Sequence, residues 1–422
     1  MAEHVFVGFG FGPIQAGLFV KEAFQSGNFS RIAVAEIDAE LVEAVRANNS
    51  SYFVNVAKSD GLEVIRIDGI EIYNPNEQKD REILLDALSR STEIVTSLPS
   101  VSFYDSGEVN VSSLIAQGLE KNCSPATIVY AAENNNYAAQ ILEQKVNSKA
   151  TEPIEHPVQY LNTVIGKMSQ VVTKAEEIER MNLRSVAPGI NRAFLVEEFN
   201  KILVTKCEIK DFKPAIEVFI EKDDLLPFEE AKLYGHNAIH ALLAYLGAYK
   251  GYTTMTELRG DKKIMQIARD AFINESGASL IRKHSKVNDA LFTESGYLAY
   301  VEDLLERMMN PYLDDTIERA GRDTRRKLGL EDRIFGTMRF ALEEGIEPVN
   351  MALGAAAGIT ALLKEPDINK PPDYLHFEPF ENPSREQLQK VLNWIWGGGN
   401  TEYQNRLIAL TENAFTRLKI LV

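Results

Sequence analysis

The sequence has few cysteines, a deficit of basic residues and no long apolar run. Its 422 residues include 2 cysteines, which excludes a disulfide framework and argues against a metal site built from cysteine. So few cysteines fit a reducing compartment, and we expect a cytoplasmic protein. No apolar run reaches the ~18 residues of a membrane span, and no basic region precedes the apolar N-terminal residues as it does in a secretory signal. We therefore expect no membrane partner.

The balance of charge is acidic, with 45 basic and 61 acidic residues and a net charge of −16. Binding of nucleic acid needs a basic field that neutralises phosphates, so we expect no nucleic-acid partner. A small anionic ligand would require a local cationic cluster. The chain is 45% hydrophobic and 25% charged, which is typical of globular proteins, and its length predicts two or three domains.

The N-terminus reads as a strand, a glycine-rich turn and a helix. The strand "HVFV" (4–7) precedes "GFGFGPIQAGLFVKEAF". In a dinucleotide-binding fingerprint that begins at Gly8, Pro13 would stand at the third glycine. We prefer the register that begins at Gly10, which puts Gln15 there, with Gly17 two residues later.

In this register Gly12 lets the backbone approach a pyrophosphate. Pro13 suits the first helical turn, and the N–H groups that follow, around Ile14 and Gln15, face the phosphates. We assign these residues, with Gly10, to cofactor binding. The alternative is a tight strand-to-helix turn that binds no ligand.

The next strand supports the cofactor hypothesis. "RIAVAEID" (31–38) reads as a buried parallel strand and contains Glu36. An acid at this distance from the fingerprint binds the ribose in a Rossmann unit, and it favours NAD over NADP because it repels a 2′-phosphate. Asp38 is the alternative for this role, and either acid is equally compatible with a solvated helix start.

Further apolar segments predict more strands, at 92–101, 126–136 and 194–209, the last in the same sheet system. A strand pair is expected in "EHPVQYLNTVIGKMSQVV". Glu133 and Asn134 follow "ATIVYAA" at the expected carboxyl end of a strand, where ligands bind in open α/β sheets. We assign Glu133 to the cofactor and Asn134 to a substrate or nicotinamide oxygen. A helix cap is the alternative for Asn134.

From about residue 210 the apolar spacing becomes helical. We therefore predict an α/β N-terminal Rossmann-type domain, residues 1–209, that binds NAD. A mostly α-helical C-terminal domain, residues 210–422, is expected to bind the substrate and carry out catalysis. Substrate in the cleft between two such domains is the usual arrangement in dehydrogenases.

The segment "KLYGHNAIHALLAYLG" places Lys232, Asn237 and His240 at the start of a buried helix. Burying a lysine and a histidine is costly unless they are paired or used. Oxidation of an alcohol without a metal needs a base for the hydroxyl proton and donors for the developing oxyanion. The alternative is a core histidine with a lysine whose stem is buried and whose ammonium reaches solvent.

This K-x4-N-x2-H segment resembles the signature of the polyol-specific long-chain dehydrogenases and reductases, the mannitol dehydrogenase family. "GFGPIQAGLF", "YAAENNN", "ESGASLIRKH" and "NPYLDDTIERAGRDTRRKL" are similar to other segments of that family. The resemblance implies NAD as cofactor, no metal, and Lys232 as the catalytic base. It implies that Asn237 and Asn134 stabilise the oxyanion and that His240 positions the substrate hydroxyl. We expect a monomer or a small homo-oligomer.

A basic cluster predicts which branch of the family is present. Residues 318–328 hold five basic and two acidic side chains, a net charge of +3. Arg322, Arg326 and Lys327 match a G-R-x-x-x-R-K-L pattern similar to the mannitol-1-phosphate branch, and arginine forks suit phosphate. The alternative for this cluster is a solvated helix face with charge pairs.

The expected reaction is the reversible, NAD-linked oxidation of a hexitol phosphate to a ketose phosphate, mannitol 1-phosphate to fructose 6-phosphate. The alternative substrates are an unphosphorylated polyol such as mannitol or arabinitol, or a hexuronate such as fructuronate or tagaturonate. Glu229, three residues before Lys232, is a feature associated with the branch that acts on unphosphorylated mannitol, with a suggested part in proton relay. We place Glu229 with the substrate-binding residues.

Overall fold

The computed structural model describes residues 4–365, 372, 375, 382–399 and 401–421. The chain divides into two compact units on either side of Leu226 and Pro227. The sequence analysis placed this division between residues 209 and 210. The difference arises because the strand Phe219–Lys222 still belongs to the sheet of the first unit. The proline-rich segment 364–384 lies mostly outside the described residues, among which no helix is long and apolar enough to cross a membrane.

The first unit is built on an eight-stranded sheet and a smaller four-stranded one. The strands are β1 (His4–Phe9), β2 (Phe29–Ala35), β3 (Tyr52–Ala57), β4 (Leu62–Ile67), β5 (Glu71–Tyr73), β6 (Glu93–Thr96), β7 (Thr127–Ala131), β8 (Val158–Ile165), β9 (Ser169–Val172), β10 (Ala193–Glu197), β11 (Ile202–Thr205) and β12 (Phe219–Lys222). The helices are α1 (Lys21–Ser26), which continues a π-helical turn (Gln15–Val20), α2 (Ala39–Ala47), α3 (Gln78–Leu88), α4 (Val111–Leu119), α5 (Ala138–Lys149) and α6 (Ala175–Arg180).

The large sheet has the strand order of a doubly wound nucleotide-binding fold. Its order is β12-β11-β8-β7-β6-β1-β2-β5, and the six strands from β8 to β5 are joined by parallel pairing. Renumbered by their position in the chain, these six have the 3-2-1-4-5-6 order of the Rossmann fold. Apolar clusters cover both faces, which explains the nearly continuous apolar runs of β1, β6 and β7. The predicted α/β fold is confirmed.

The four-stranded sheet was not expected. Its order is β4-β3-β10-β9. The segment that supplies β8 to the large sheet supplies β9 to this one, and the segment that supplies β11 to the large sheet supplies β10 to this one. The prediction of a single strand over 194–209 is therefore wrong, because β10 pairs with β3 and β9 whereas β11 pairs with β8 and β12. The polar residues 198–201 separate the two strands. Apolar alternation alone does not reveal this change of sheet.

The second unit is helical, as predicted. Its helices are α7 (Leu226–Glu230), a π-helical turn (Ala231–Asn237), α8 (Ala238–Lys250), α9 (Lys262–Asp270), a second π-helical turn (Ala271–Gly277), α10 (Ala278–Lys283), α11 (Glu294–Met308), α12 (Ile317–Gly321), α13 (Thr324–Lys327), α14 (Phe335–Glu343), α15 (Met351–Leu363), α16 (Arg385–Trp396) and α17 (Glu402–Leu418). The apolar α8 and α15 pack closely, since a Cβ at Gly354 would lie 2.4 Å from Leu242. This contact anchors the helix that follows the Lys232 segment.

Candidate active site

A cavity of about 520 Å³ opens in the first unit where β1, β2 and β6 end. The glycine turn after β1, Glu36 after β2 and Ser97 after β6 contribute to its wall. Residues between Phe103 and Leu114, for which the sequence held no signal, complete the lining. The carboxyl ends of parallel strands, where the strand order reverses, are the ligand-binding edge of such sheets.

The geometry of the glycine turn accounts for its two leading glycines. Gly10 has a φ of +81°, and a Cβ at this position would lie 2.7 Å from the carbonyl oxygen of Ser97. At Gly12 a Cβ would meet no atom within 4 Å, so the backbone here borders open space. Pro13 and Ile14 also line the cavity, and Pro13 stands in the first helical turn as predicted.

Gln15, at the place of the third fingerprint glycine, is fully buried and is not among the cavity-lining residues. Its Nε2 donates to the Val95 carbonyl at 3.5 Å. It occupies room that Gly8 leaves, because a Cβ at Gly8 would lie 1.9 Å from that nitrogen. In the fingerprint the third glycine allows a helix to pack closely on a strand. Here Gly17 has that role, because a Cβ at this position would lie 2.6 Å from Val196 in β10.

Glu36 is held by backbone N–H groups at the rim of this cavity. Its Oε2 accepts from Phe11 N at 2.8 Å, and its Oε1 accepts from Asp38 N at 2.9 Å. The carboxylate therefore joins the glycine turn to the end of β2. Asp38 caps α2 through Leu41 N and pairs with Arg192 at 2.8 Å, which leaves Glu36 as the better placed of the two acids.

Glu133 is a buried carboxylate rather than a lining residue of the cavity. It accepts hydrogen bonds from Thr96 Oγ1 and Leu98 N, each at 2.9 Å, and from the Tyr104 hydroxyl. Burial raises the pKa of Glu133. These hydrogen bonds hold in place the segment after β6, which forms one wall of the cavity. Asn134, the next residue, is exposed just beyond the end of β7.

In the second unit, a π-helical turn carries the K-x4-N-x2-H segment. Lys232 and Asn237 lie within the turn, and His240 stands in the first turn of α8. On an ideal α-helix Lys232 would be about 80° from His240. A π-turn holds one more residue than an α-turn, so residues five apart come close to one face. Asn237 and His240, three apart, share a helix face, so we expect all three side chains to lie along one side of the helix.

The surroundings of Lys232 favour its neutral form. Burial and the positive charge of Arg333 lower the pKa of Lys232 to about 8, while Glu229 acts in the opposite direction. His236, on the same π-turn, is buried, and burial holds its pKa well below the usual value. A neutral His236 adds no positive charge beside the lysine.

His240 is held by a carboxylate that the sequence analysis missed. Its Nε2 donates to Asp315 Oδ2 at 2.9 Å, and Arg319 Nε donates to Asp315 Oδ1 at 2.8 Å. Burial opposes ionisation of Asp315, but the hydrogen bond and charge of His240 and the charge of Arg319 outweigh it and lower the pKa of Asp315. An ionised carboxylate only accepts, so Nε2 carries a proton, and whenever the ring is neutral Nδ1 is its acceptor.

Replacing Asp315 by asparagine is expected to lower kcat/KM for polyol oxidation by about 10- to 100-fold, the value of one hydrogen bond to a charged group. The amide would no longer hold the His240 tautomer. Asp314→Asn is the matched control, because asparagine tolerates the left-handed φ of +47° at that residue. Steady-state kinetics with thermal unfolding of both variants provide the measurement. Equal kcat/KM values for the two variants would show that Asp315 has no positioning role.

The basic cluster 318–328 does not form one helix face. Asp323 has a left-handed φ of +59° and separates α12 from α13. Arg322 is exposed and lines a second cavity, of about 500 Å³, with Tyr245 and Lys364. Arg326 is exposed and pairs with Asp332 at 3.0 Å.

Lys327 has different surroundings. It is buried, and its Nζ donates to the Ala320 carbonyl at 2.6 Å. Burial, with the charges of Arg333 and Arg326, lowers the pKa of Lys327 to about 7. The three residues predicted to bind phosphate thus stand in three environments, and their common role remains a prediction.

Asp315 and Arg333 are the residues that sequence reasoning missed. Asp315 lies 75 residues from His240 in the chain. The one nearby sequence feature that points to Asp315 is Arg319, four residues later at the start of a helix. Arg333 follows the basic cluster but lies outside the recognised pattern. In the described part of the chain, no group of three or more histidine, cysteine, aspartate or glutamate residues is arranged to hold a metal ion.

Structures of two polyol dehydrogenases have the same fold. The structure of Pseudomonas fluorescens mannitol 2-dehydrogenase with NAD and D-mannitol aligns over 99% of this chain and 92% of its own, with a TM-score of 0.70 and 16% identity. A D-sorbitol dehydrogenase aligns over 98% of this chain and 92% of its own, with a TM-score of 0.75 and 15% identity.

Sequence comparisons give the family. Residues 224–368 match the mannitol dehydrogenase C-terminal domain. Mannitol-1-phosphate 5-dehydrogenase of Buchnera aphidicola subsp. Acyrthosiphon pisum (strain Tuc7) is 30% identical over 83% of this chain and 84% of its own. The protein of that name from Caldanaerobacter subterraneus subsp. tengcongensis is 29% identical over 97% of each chain. The chain therefore belongs to the mannitol dehydrogenase family of polyol-specific dehydrogenases and reductases.

Proposed function

We propose that this chain catalyses the reversible, NAD-linked oxidation of a hexitol phosphate to a ketose phosphate, with mannitol 1-phosphate and fructose 6-phosphate as the pair. Members of its family are oxidoreductases that act on CH–OH groups. The observation that carries the proposal is the lowered pKa of Lys232, about 8, on a π-turn that also holds Asn237 and is followed by His240 in α8. A lysine with an ordinary pKa would be protonated and unable to act as a base.

The first unit fits a dinucleotide. Gly12 leaves its backbone open to a pyrophosphate, and Glu36 is oriented by two N–H groups at the same cavity. Pro13 and Ile14 would line the phosphates, and Glu36 would accept from the ribose hydroxyls. Gln15 and Glu133 would support the site from the interior, through the helix and the wall after β6. When bound, NAD supplies the hydride acceptor.

Side chains of the second unit would accept the proton of the substrate hydroxyl and form hydrogen bonds with the substrate oxygens. Neutral Lys232 takes the proton of the substrate hydroxyl as the C–H bond breaks, and the amide N–H of Asn237 donates to the oxygen that gains charge. His240, held by Asp315 through Nε2–H, accepts a hydrogen bond at Nδ1 from a neighbouring substrate hydroxyl. In the reverse direction Lys232 returns its proton to the oxygen. Glu229 favours the protonated lysine and would carry the proton onward. Asn134, in the first unit, is a second proposed oxyanion donor.

A phosphorylated substrate is supported by the names of the two sequence relatives, both mannitol-1-phosphate 5-dehydrogenases, and by the basic residues that follow Gly321. No step of the proposal uses a metal. A reductase for an unphosphorylated polyol or a hexuronate would keep the same base and the same oxyanion donors, with the cationic residues free to bind a carboxylate instead.

The loss of NADH absorbance tests the proposal directly. Purified protein is given fructose 6-phosphate, fructose or fructuronate at equal concentration. We expect kcat/KM for fructose 6-phosphate to exceed that for fructose by at least about 100-fold, because a charge-assisted phosphate contact contributes ~3 kcal/mol. Preference for fructose or fructuronate would reassign the substrate and leave the family unchanged. No turnover with any of the three would refute the proposed reaction.

A further inference from the structure

Arg333 is a partly buried cation, and part of its guanidinium is shielded from solvent. It lies in the loop between α13 and α14, and its Nη1 is shielded from solvent with no hydrogen-bond partner among the described residues. Its side chain makes no ion pair within that part of the chain. An unsatisfied charged donor costs free energy when it is taken out of water. The resting protein therefore carries a cost that a bound anion would remove.

Backbone contacts place Arg333 beside both lysines of interest. Thr337 Oγ1 donates to the Arg333 carbonyl at 2.5 Å and lies 3.4 Å from the Tyr234 carbonyl in the π-turn of Lys232. The next residue, Ile334, donates its N–H to the Lys327 carbonyl at 3.1 Å. The charge of Arg333 acts on Lys232 and on Lys327 and lowers both of their pKa values.

The carboxylates near this loop, those of Asp332 and Asp323, interact with the charge of Arg333, but the ion pairs that they form are with Arg326. Asp332 pairs with Arg326 at 3.0 Å, and its Oδ1 also accepts from the backbone of Arg333. Asp323 lies 3.5 Å from Arg326. Arg326 thus has two acidic partners and is exposed, whereas Arg333 has a buried nitrogen with none. Because one of its nitrogens has no hydrogen-bond partner among the described residues, Arg333 is a better candidate than Arg326 for binding an anion.

We propose that Arg333, assisted by Lys327, binds the phosphate group of the substrate and so determines the preference for a phosphorylated polyol. This inference rests on the proposed function and names the residue that selects its substrate. A guanidinium fork and an ammonium together match the geometry and the double negative charge of a phosphate monoester. A carboxylate would satisfy the fork alone and is the alternative that the experiment separates.

The test compares Arg333→Gln with Arg326→Gln and with Arg339→Gln. Arg339, on α14, is a matched control because it already pairs with Glu331 and Glu343. For Arg333→Gln we expect KM for fructose 6-phosphate to rise by about 100-fold, as when one member of a buried charge pair is removed. KM for fructose should stay within about threefold. Arg339→Gln should change neither value, and Arg333→Lys should lose about 10-fold because it keeps the charge without the fork.

Thermal unfolding of the ligand-free proteins separates binding from structure. Removing a partly buried charge that makes no ion pair among the described residues should leave the Tm of Arg333→Gln equal to that of wild type or above it. A fall of several degrees would make Arg333 a structural residue and would overturn the inference. The same conclusion follows if Arg326→Gln, rather than Arg333→Gln, loses affinity for the phosphorylated substrate.

The outcomes also distinguish this inference from the proposed function. If wild type reduces fructose 6-phosphate with a strong preference that survives in Arg333→Gln, the function stands and the inference fails. If wild type prefers fructuronate and Arg333→Gln loses that preference, Arg333 binds a carboxylate and the phosphate assignment fails. If wild type turns over none of the substrates, calorimetric titration with inorganic phosphate decides, since binding that is lost in Arg333→Gln supports the site and absence of binding overturns it.

Discussion

Replacing Lys232 by methionine is expected to lower kcat for polyol oxidation by about 1,000-fold, within the range that general-base catalysis contributes. Methionine fills a similar volume and cannot take a proton. Burial and Arg333 keep the pKa of Lys232 at about 8, so the wild-type lysine is partly neutral at the working pH. NADH affinity should not change, because Lys232 lies outside the unit that fits the dinucleotide.

The pH dependence of the reaction rates provides a second test of Lys232 as the base. Oxidation needs the neutral amine, so kcat/KM should rise with pH and level off above about 8. Reduction needs the protonated form, so its rate should fall through the same range. Lys263→Met is the control, because Lys263 is an exposed residue of the helical unit on α9. If Lys232→Met kept a tenth of wild-type kcat with an unchanged pH profile, another group would be the base.

Replacing Glu36 by alanine is expected to weaken NADH binding by about 100-fold. The carboxylate accepts from Phe11 N and Asp38 N, so its loss removes the proposed ribose contact and also leaves two backbone donors of the turn without their acceptor. Each lost hydrogen bond to a charged group is worth ~1.5–3 kcal/mol, and water replaces part of that loss.

Titration of NADH fluorescence measures this effect, with Glu40→Gln as the control. Glu40 is an exposed residue in the first turn of α2, four residues after Glu36, so its replacement changes local charge without touching the turn. The ratio of affinities for NADH and NADPH should also fall in Glu36→Ala, because the acid that repels a 2′-phosphate is gone. Unchanged NADH affinity would argue that Glu36 serves only to order the turn.

Several features of the fold and of the candidate site could be predicted from short stretches of the sequence. The glycine turn is visible because Gly10 needs a left-handed backbone and Pro13 suits a first helical turn. The parallel strands are visible because both of their faces are buried and their sequences are almost wholly apolar. Lys232, Asn237 and His240 are visible because costly side chains precede an apolar helix.

The departures from prediction have a common origin in non-local packing. The change of sheet between β10 and β11 depends on which partner strands are near, which apolar alternation does not encode. The interior position of Gln15 depends on the absence of a side chain at Gly8 in β1. Likewise, the left-handed residue Asp323 divides a cluster that reads as one basic face in the sequence.

The sequence by itself determined the fold class, the family and the identity of the candidate base, because each rests on residue types at short, fixed spacings. Only the tertiary structure decided how those residues are oriented. It brought Asp315 to His240 across 75 residues, formed the π-turn that contains Lys232 and Asn237, and left Nη1 of Arg333 buried without a partner among the described residues. These features depend on the packing of helices that are distant in the chain, and burial and charge in that packing determine the protonation state of each group.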